Sequence, residues 1–358
     1  MMQKRIALVV SGFPRRSETF AINELLALEE RGALAVIFAT KPGDGSSLQP
    51  GHERLLPLLR VLPNGTPVEQ GANVAAFLYD QRVDAVHGYF AHTPAEVAMH
   101  AAERLRVPFG FSVHARDARK LTARELTMRA QKATCVVACN TDVAATVQQA
   151  RANAHLIPHG VDLSRFRVAP PPPDRPFRIL AVGRLVEKKG FRYLIEAASQ
   201  FKFSFALRIL GDGPEQERLA KLISRHGLSN QVTFAGPKTH DELPREYANA
   251  HVVVVPSIMD HTGDRDGLPN VVLEAMASGR PVVASDAGAI RSGVAHRQTG
   301  LLVAQKNPTA LGSALTALAH DAQLQETLGH GARQRVERDY ELTRCTERFC
   351  QLLEQAYV

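Results

Sequence analysis

The chain has 358 residues, is 45% hydrophobic and 22% charged, and carries a formal net charge of +7. That length exceeds one ordinary core and predicts two domains. The sequence lacks the run of about 18 apolar residues that a membrane-spanning helix needs, and its few scattered aromatics and broken basic stretches exclude a nucleic-acid groove. The basic excess lies mostly in the first half, where it suits solubility, an anionic acceptor or an acidic membrane surface.

Taken in chain order, the opening apolar run 6–10 is too short for a signal-peptide core and has no small-residue cleavage pattern, so a cytoplasmic protein is expected. Apolar runs at 5–10, 34–39, 83–87, 109–113 and 135–139 read as buried strands, with helices at 20–31 and 94–104 between them. Residues 42–70 are rich in Pro and Gly and show no clear strand period. The proline run at 168–176 favours an extended connector. Beyond it the pattern repeats, with strands at 178–182, 205–210, 232–234, 252–255, 281–284 and 301–303. Helices are expected at 190–199, 215–226, 241–249, 270–277 and 309–320. The amphipathic stretch 342–357 is either a plain terminal helix or a segment that packs back on the first domain. Strand and helix alternation predicts an α/β protein of two doubly wound, Rossmann-like domains facing a cleft, spanning 1–168 and 169–341, with 342–358 as a C-terminal helix.

Ligands of such sheets collect beyond the carboxyl ends of the strands, so the loops after strands hold the candidate residues. Gly12 follows the first strand and lets a loop approach a substrate closely, although Ser11-Gly-Phe-Pro14 is no dinucleotide fingerprint. Arg15 and Arg16 are either exposed side chains or contacts for an acceptor phosphate. His114 ends the strand at 109–113, and His87 and His92 lie near the end of another. After 178–182 come Arg184, a planar fork of donors, Lys189, a mobile point charge, and Gly190 at a helix start. A diphosphate would satisfy all three, as would water around a basic loop. Asp266 lies ahead of a helix and Glu274 inside it among apolar neighbours. Asp266 suits either a cap and dipole partner or a ligand contact. Cys135, Cys139, Cys345 and Cys350 have neither a tight zinc spacing nor a companion His cluster, so no metal site is expected.

The ordered set Gly183-Arg-Leu-Val-Glu-Lys-Lys-Gly190, Gly211-Asp-Gly-Pro214 and Asp266-x7-Glu274 with Glu-Ala-Met-Ala-Ser-Gly279 resembles the retaining glycosyltransferases of family four. Ser11-Gly-Phe-Pro-x-x-Ser-Glu-Thr-Phe20 and Ser112-Val-His-Ala-Arg-Asp117 are similar to stretches of members that build bacterial exopolysaccharides. The resemblance implies the GT-B arrangement and a UDP- or GDP-type nucleotide sugar as donor, with no bound metal and no other cofactor. It implies that Arg184 and Lys189 hold the donor diphosphate, that the amides of Asn270 and Val271 face a phosphate, and that Glu274 accepts from the ribose hydroxyls. It sets His114 and Asp266 beside the donor sugar. Asp266 stands where the family usually has glutamate, one methylene longer. The acceptor implied is a carbohydrate or a lipid-linked sugar, which suits loose attachment to the inner face of a membrane. A nucleotide-sugar epimerase or phosphorylase on the same fold, and a non-catalytic nucleotide-sugar sensor, are the alternatives.

Overall fold

A computed structural model describes residues 4–15, 18–43, 51–118, 120–150, 153–173 and 175–357. The chain forms two compact units, one of residues 1–160 with 343–358, the other of residues 161–342. The first unit contains β1 (Ile6–Phe13), α1 (Thr19–Glu30), β2 (Leu34–Pro42), a 3-10 turn (His52–Leu58), β3 (Leu59–Val61), α2 (Pro67–Leu78), β4 (Ala85–Gly88) and α3 (Thr93–Leu105). It continues through β5 (Phe109–Val113), the short α4 (Ala115–Ala118), α5 (Ala123–Lys132), β6 (Cys135–Ala138), α6 (Thr141–Gln149) and β7 (His155–Leu156). The second holds β8 (Phe177–Val182), a 3-10 turn (Glu187–Lys189), α7 (Phe191–Ala198), β9 (Phe205–Leu210), α8 (Gln216–Arg225), β10 (Val232–Phe234), α9 (Leu243–Ala248) and β11 (Val252–Val255). Then come α10 (Asn270–Ala277), β12 (Val282–Ser285), α11 (Ile290–Gly293), β13 (Gly300–Val303), α12 (Pro308–His320) and α13 (Ala322–Asp339). The last helix is α14 (Leu342–Ala356).

Among the described residues the first unit has a seven-stranded sheet, order β3-β2-β1-β4-β5-β6-β7, and the second a six-stranded sheet, order β10-β9-β8-β11-β12-β13. All pairings are parallel. This is the doubly wound α/β fold the sequence predicts. The strands are short apolar runs because both of their faces are covered. In β1, Ala7 and Val9 enter one core while Ile6, Leu8 and Val10 enter the core on the opposite face. In β8, Ile179 and Ala181 face one core and Leu180 the other. Strand order reverses at β1/β4 in the first sheet and at β8/β11 in the second, which marks where each should receive a ligand.

Some elements differ from expectation. The stretch 42–70 holds the 3-10 turn, β3 and the start of α2, with 44–50 outside the described residues. A capping box starts α2: the Thr66 side chain accepts from the Glu69 amide, and the Glu69 carboxylate accepts from the Thr66 amide. The proline-rich segment belongs to the second unit, because the Arg280 guanidinium donates to the carbonyls of Ala169, Pro170 and Ala248 and ties it to the body of the sheet. The terminal helix α14 sends Phe349, Cys350 and Leu353 into a core of the first unit, Tyr357 just after it enters the same core, and Glu354 accepts two hydrogen bonds from Arg31 at 3.0 and 2.9 Å.

Candidate active site

In the second unit the loop after β8 and the loop after β11 are fastened together at the reversal of strand order. Gly190 has φ of 65°, and a Cβ there would collide with the Pro256 carbonyl, so glycine lets the two loops touch. The amide of Ile258 donates to the Lys188 carbonyl at 2.8 Å. This contact brings together groups distant in sequence. Lys189 Nζ donates to Asp266 Oδ2 at 2.8 Å, Ser257 Oγ donates to the same oxygen at 2.7 Å, and Lys188 Nζ lies 3.6 Å from Asp266 Oδ1. Lys188 also donates to Asp264 Oδ2 at 3.0 Å. Burial would raise the Asp266 carboxyl, but the two ammonium groups and the Ser257 hydroxyl outweigh it and hold the group below the usual carboxylate range.

Asp266 is therefore not a helix cap: Pro269 occupies the position before α10, and the Asp266 side chain points to the lysines. Asn270 and Val271 are the first two residues of α10, at the end of the helix where its dipole favours an anion. Glu274, one turn further in, is buried and accepts from the Tyr247 hydroxyl at 2.6 Å. Burial pushes its carboxyl up to about 7, and the Tyr247 bond opposes that only in part. Arg184 is exposed on the loop after β8. Lys188, Ser257 and Tyr247 escaped the sequence reading. The Lys-Lys pair was the available signal for Lys188, but nothing in the run says which of two adjacent lysines is buried.

In the first unit His114 follows β5 and sits in a box of rings. Its ring centroid lies 5.1 Å from Phe20, 5.2 Å from Tyr89, 4.9 Å from Phe90 and 5.2 Å from His159, the last stacked at 10°. Burial, then the charge of His159, holds His114 well below the ordinary imidazole range. His87 is fully buried, bonded to Ser112 Oγ at 2.9 Å and to the Tyr357 hydroxyl at 2.6 Å, so it serves the attachment of α14 and lines no surface. His92 precedes α3 and is held down to about 4 by burial and then by Lys120 and Lys41. Gly12 lies inside β1, one residue before its end, and does not follow the strand; a Cβ there would come 2.7 Å from the Pro42 carbonyl and 3.0 Å from Arg15 Nε, so its space is taken by the chain itself. Arg15 is paired with Glu18 at 3.3 Å. Arg16 and the side chains of Arg116 and Asp117 lie outside the described residues. Among the described residues no group of three or more His, Cys, Asp or Glu is placed to hold a metal ion.

Two doubly wound parallel sheets, each closed by a second helical layer, define the GT-B class of sugar-transferase architecture. Anabaena Alr3699/HepE, solved in complex with UDP, has this fold, with a TM-score of 0.83 at 20% identity over 98% of this chain and 100% of that one. Residues 17–165 match Glycosyltransferase Family 4, and residues 164–335 match Glycosyl transferases group 1. The chain belongs to the family-four, group 1 glycosyltransferases. It is 37% identical to the putative colanic acid biosynthesis glycosyltransferase WcaL of Escherichia coli K12 over 186 residues, 51% of this chain and 46% of that protein. A GDP-mannose-dependent alpha-(1-6)-phosphatidylinositol monomannoside mannosyltransferase of Mycobacterium tuberculosis is 34% identical over 199 residues, 52% of this chain and 51% of its own. The chain spans about half the length of the curated relatives it matches.

Proposed function

We propose that the protein transfers a sugar from a UDP- or GDP-type nucleotide sugar to a hydroxyl of a carbohydrate or lipid-linked acceptor, with retention at the anomeric carbon. The observation that carries this reading is the Lys189, Asp266 and Ser257 cluster at the strand-order reversal of the second sheet, in a chain of this family. On this reading the second unit takes the nucleotide and the first the acceptor. Arg184, Lys189 and the amides of Asn270 and Val271 take the diphosphate, and Glu274 offers the ribose its carboxylate. Asp266 and His114 meet hydroxyls of the donor sugar. Lys189 leaves Asp266 for the diphosphate, and Lys188 remains as the counter-ion that keeps Asp266 ionised. The bond between the anomeric carbon and the phosphate oxygen breaks, the acceptor oxygen bonds to the same face, and its proton passes to the departing phosphate. Cationic and amide donors stabilise the charge that develops on that phosphate.

Exopolysaccharide or glycolipid assembly fits the names of the relatives, and a lipid-linked acceptor would be met at the cytoplasmic face of a membrane. Among the described residues no helix is long and apolar enough to cross one. The test is a panel of UDP- and GDP-sugars scored first for thermal stabilisation, where a donor at a hundred times its dissociation constant adds about 2.7 kcal/mol. Product analysis with lipid-linked and free saccharide acceptors follows. A new glycosidic bond supports transfer; an isomerised donor means epimerisation, and binding without any product means a sensor.

A further inference from the structure

The ring box around His114 depends on a buried carboxylate that the family motifs do not assign. Glu24 lies on α1 and is 5% exposed. One of its oxygens accepts from the Tyr89 hydroxyl, and the other bonds to His159 Nδ1 at 3.0 Å. Tyr89 and His159 are two of the four rings around His114, and Phe20, a third, comes from the first turn of the same helix and stacks on His159 at 4.2 Å. A single side chain thus bonds two of the four rings of the box.

We propose that Glu24 is a positioning residue for His114, holding Tyr89 and His159 so that the His114 ring is clamped at the end of β5. This rests on the reading of His114 as a contact to the donor sugar. A neutral ring donates one hydrogen bond and accepts one, which suits a sugar hydroxyl; two stacked imidazolium ions would repel each other. Burial opposes a charge on His159, but the Cys139 thiol and Glu24 outweigh it and hold His159 above the ordinary imidazole range. The like charge of His159 then adds to burial in keeping His114 unprotonated, with His87 and His92 contributing in the same direction. Glu18 and Cys139 are the further charged or titratable groups that act on Tyr89. The carboxylate contact favours the single positive charge of the stacked pair on His159, the ring that Glu24 holds, and leaves His114 with one N–H and one acceptor nitrogen.

The test is Glu24→Gln in the full chain, read by nitrogen NMR of the histidine rings from about pH 5.5 to 8.5 and by transfer kinetics. The wild-type His159 signal should stay protonated across that range and the His114 signal neutral; in Glu24→Gln the His159 signal should titrate inside it. The turnover of Glu24→Gln should fall about tenfold or more with KM little changed, and a pH dependence absent from the wild type should appear. Tyr89→Phe keeps the ring and removes one anchor, so it should give a smaller fall in turnover with an unchanged His159 signal; it stands in if Glu24→Gln does not fold. Histidine signals and pH profile that are the same in Glu24→Gln as in wild type, or Tyr89→Phe with wild-type turnover, would overturn the inference. A His114→Ala enzyme of undiminished turnover would instead sink the reading of His114, while the NMR result would still report on the clamp.

Discussion

The strand-end groups of the two units share a topology and are held by opposite means. In the second unit Lys188 and Lys189 face Asp264 and Asp266, so its members are charged and each neutralises another. In the first unit the walls around His114 are rings, and one carboxylate, Glu24, anchors two of them. Charges that already have a partner can exchange it when an anion arrives, because a second cation stands beside the one that leaves. Rings packed against one another have no such alternative and keep their shape. The first arrangement suits a diphosphate that comes and goes in every turnover, and the second suits the presentation of one polar edge.

The largest effect should come from breaking the exchange. Lys189→Met leaves Asp266 buried with Lys188 and Ser257 only. Removal of one partner from a buried ion pair costs about 3 to 5 kcal/mol, and the remaining lysine sets the expectation at the lower end. Transfer should fall about a hundredfold or more. The double variant Lys189→Met/Asp266→Leu should recover most of the stability in urea melts and none of the transfer. If it is as unstable as the single variant, the two side chains are not coupled and the contrast between the units weakens.

Next in size is Glu274, which accepts from the Tyr247 hydroxyl where Asp264 and Asp266 accept from lysines. Its folded value of about 7 lies above its ordinary 4.5, so the native state binds more protons than the unfolded chain between those two values. Stability should therefore fall as pH rises through that window, by about 3 kcal/mol in all. Glu274→Gln should flatten that slope and be more stable than wild type at about pH 8. The same change should weaken nucleotide binding, because an amide has one acceptor oxygen where the carboxylate has two. Melting curves across the window and calorimetry with UDP and GDP check both halves; a variant with an unaltered slope would mean that Glu274 is ionised at neutral pH despite its burial.

Much of this organisation is readable from the residues, and the exceptions have physical causes. The strands stand out because a sheet covered on both faces needs continuous apolar runs, as Val252–Val255 shows with four buried valines. Arg184, Lys189, Asp266 and Glu274 stand out because their spacing is local to two loops and one helix. Thr66 and Glu69 had the spacing of a capping box, but the Pro and Gly content around them masked the start of α2. The helix α13 carries charged and amide side chains around a narrow buried stripe of Leu328, Ala332 and Val336, which weakens its apolar period. The contacts that define the sites were beyond reach for another reason. Lys189 and Asp266 are 77 positions apart and Glu24 and His159 are 135 apart, and only the folded sheets bring them together.

The smallest stability effect should be at Arg184, and there the comparison is sharpest. Exposed on its loop, Arg184 has no burial to lose, so Arg184→Ala should leave the melting temperature within the range of ordinary surface changes, about 0.5 kcal/mol either way. A guanidinium that bonds a diphosphate contributes more, about 1.5 to 3 kcal/mol for a charge-assisted hydrogen bond, which corresponds to an affinity loss of roughly ten- to a hundredfold. Calorimetry with UDP and GDP on wild type, Arg184→Ala and Arg184→Lys separates the possibilities. Loss in both variants means that the planar fork is needed, and retention by lysine alone means that charge suffices. Unchanged affinity in Arg184→Ala would return that side chain to the solvent and leave the diphosphate to Lys189 and the start of α10.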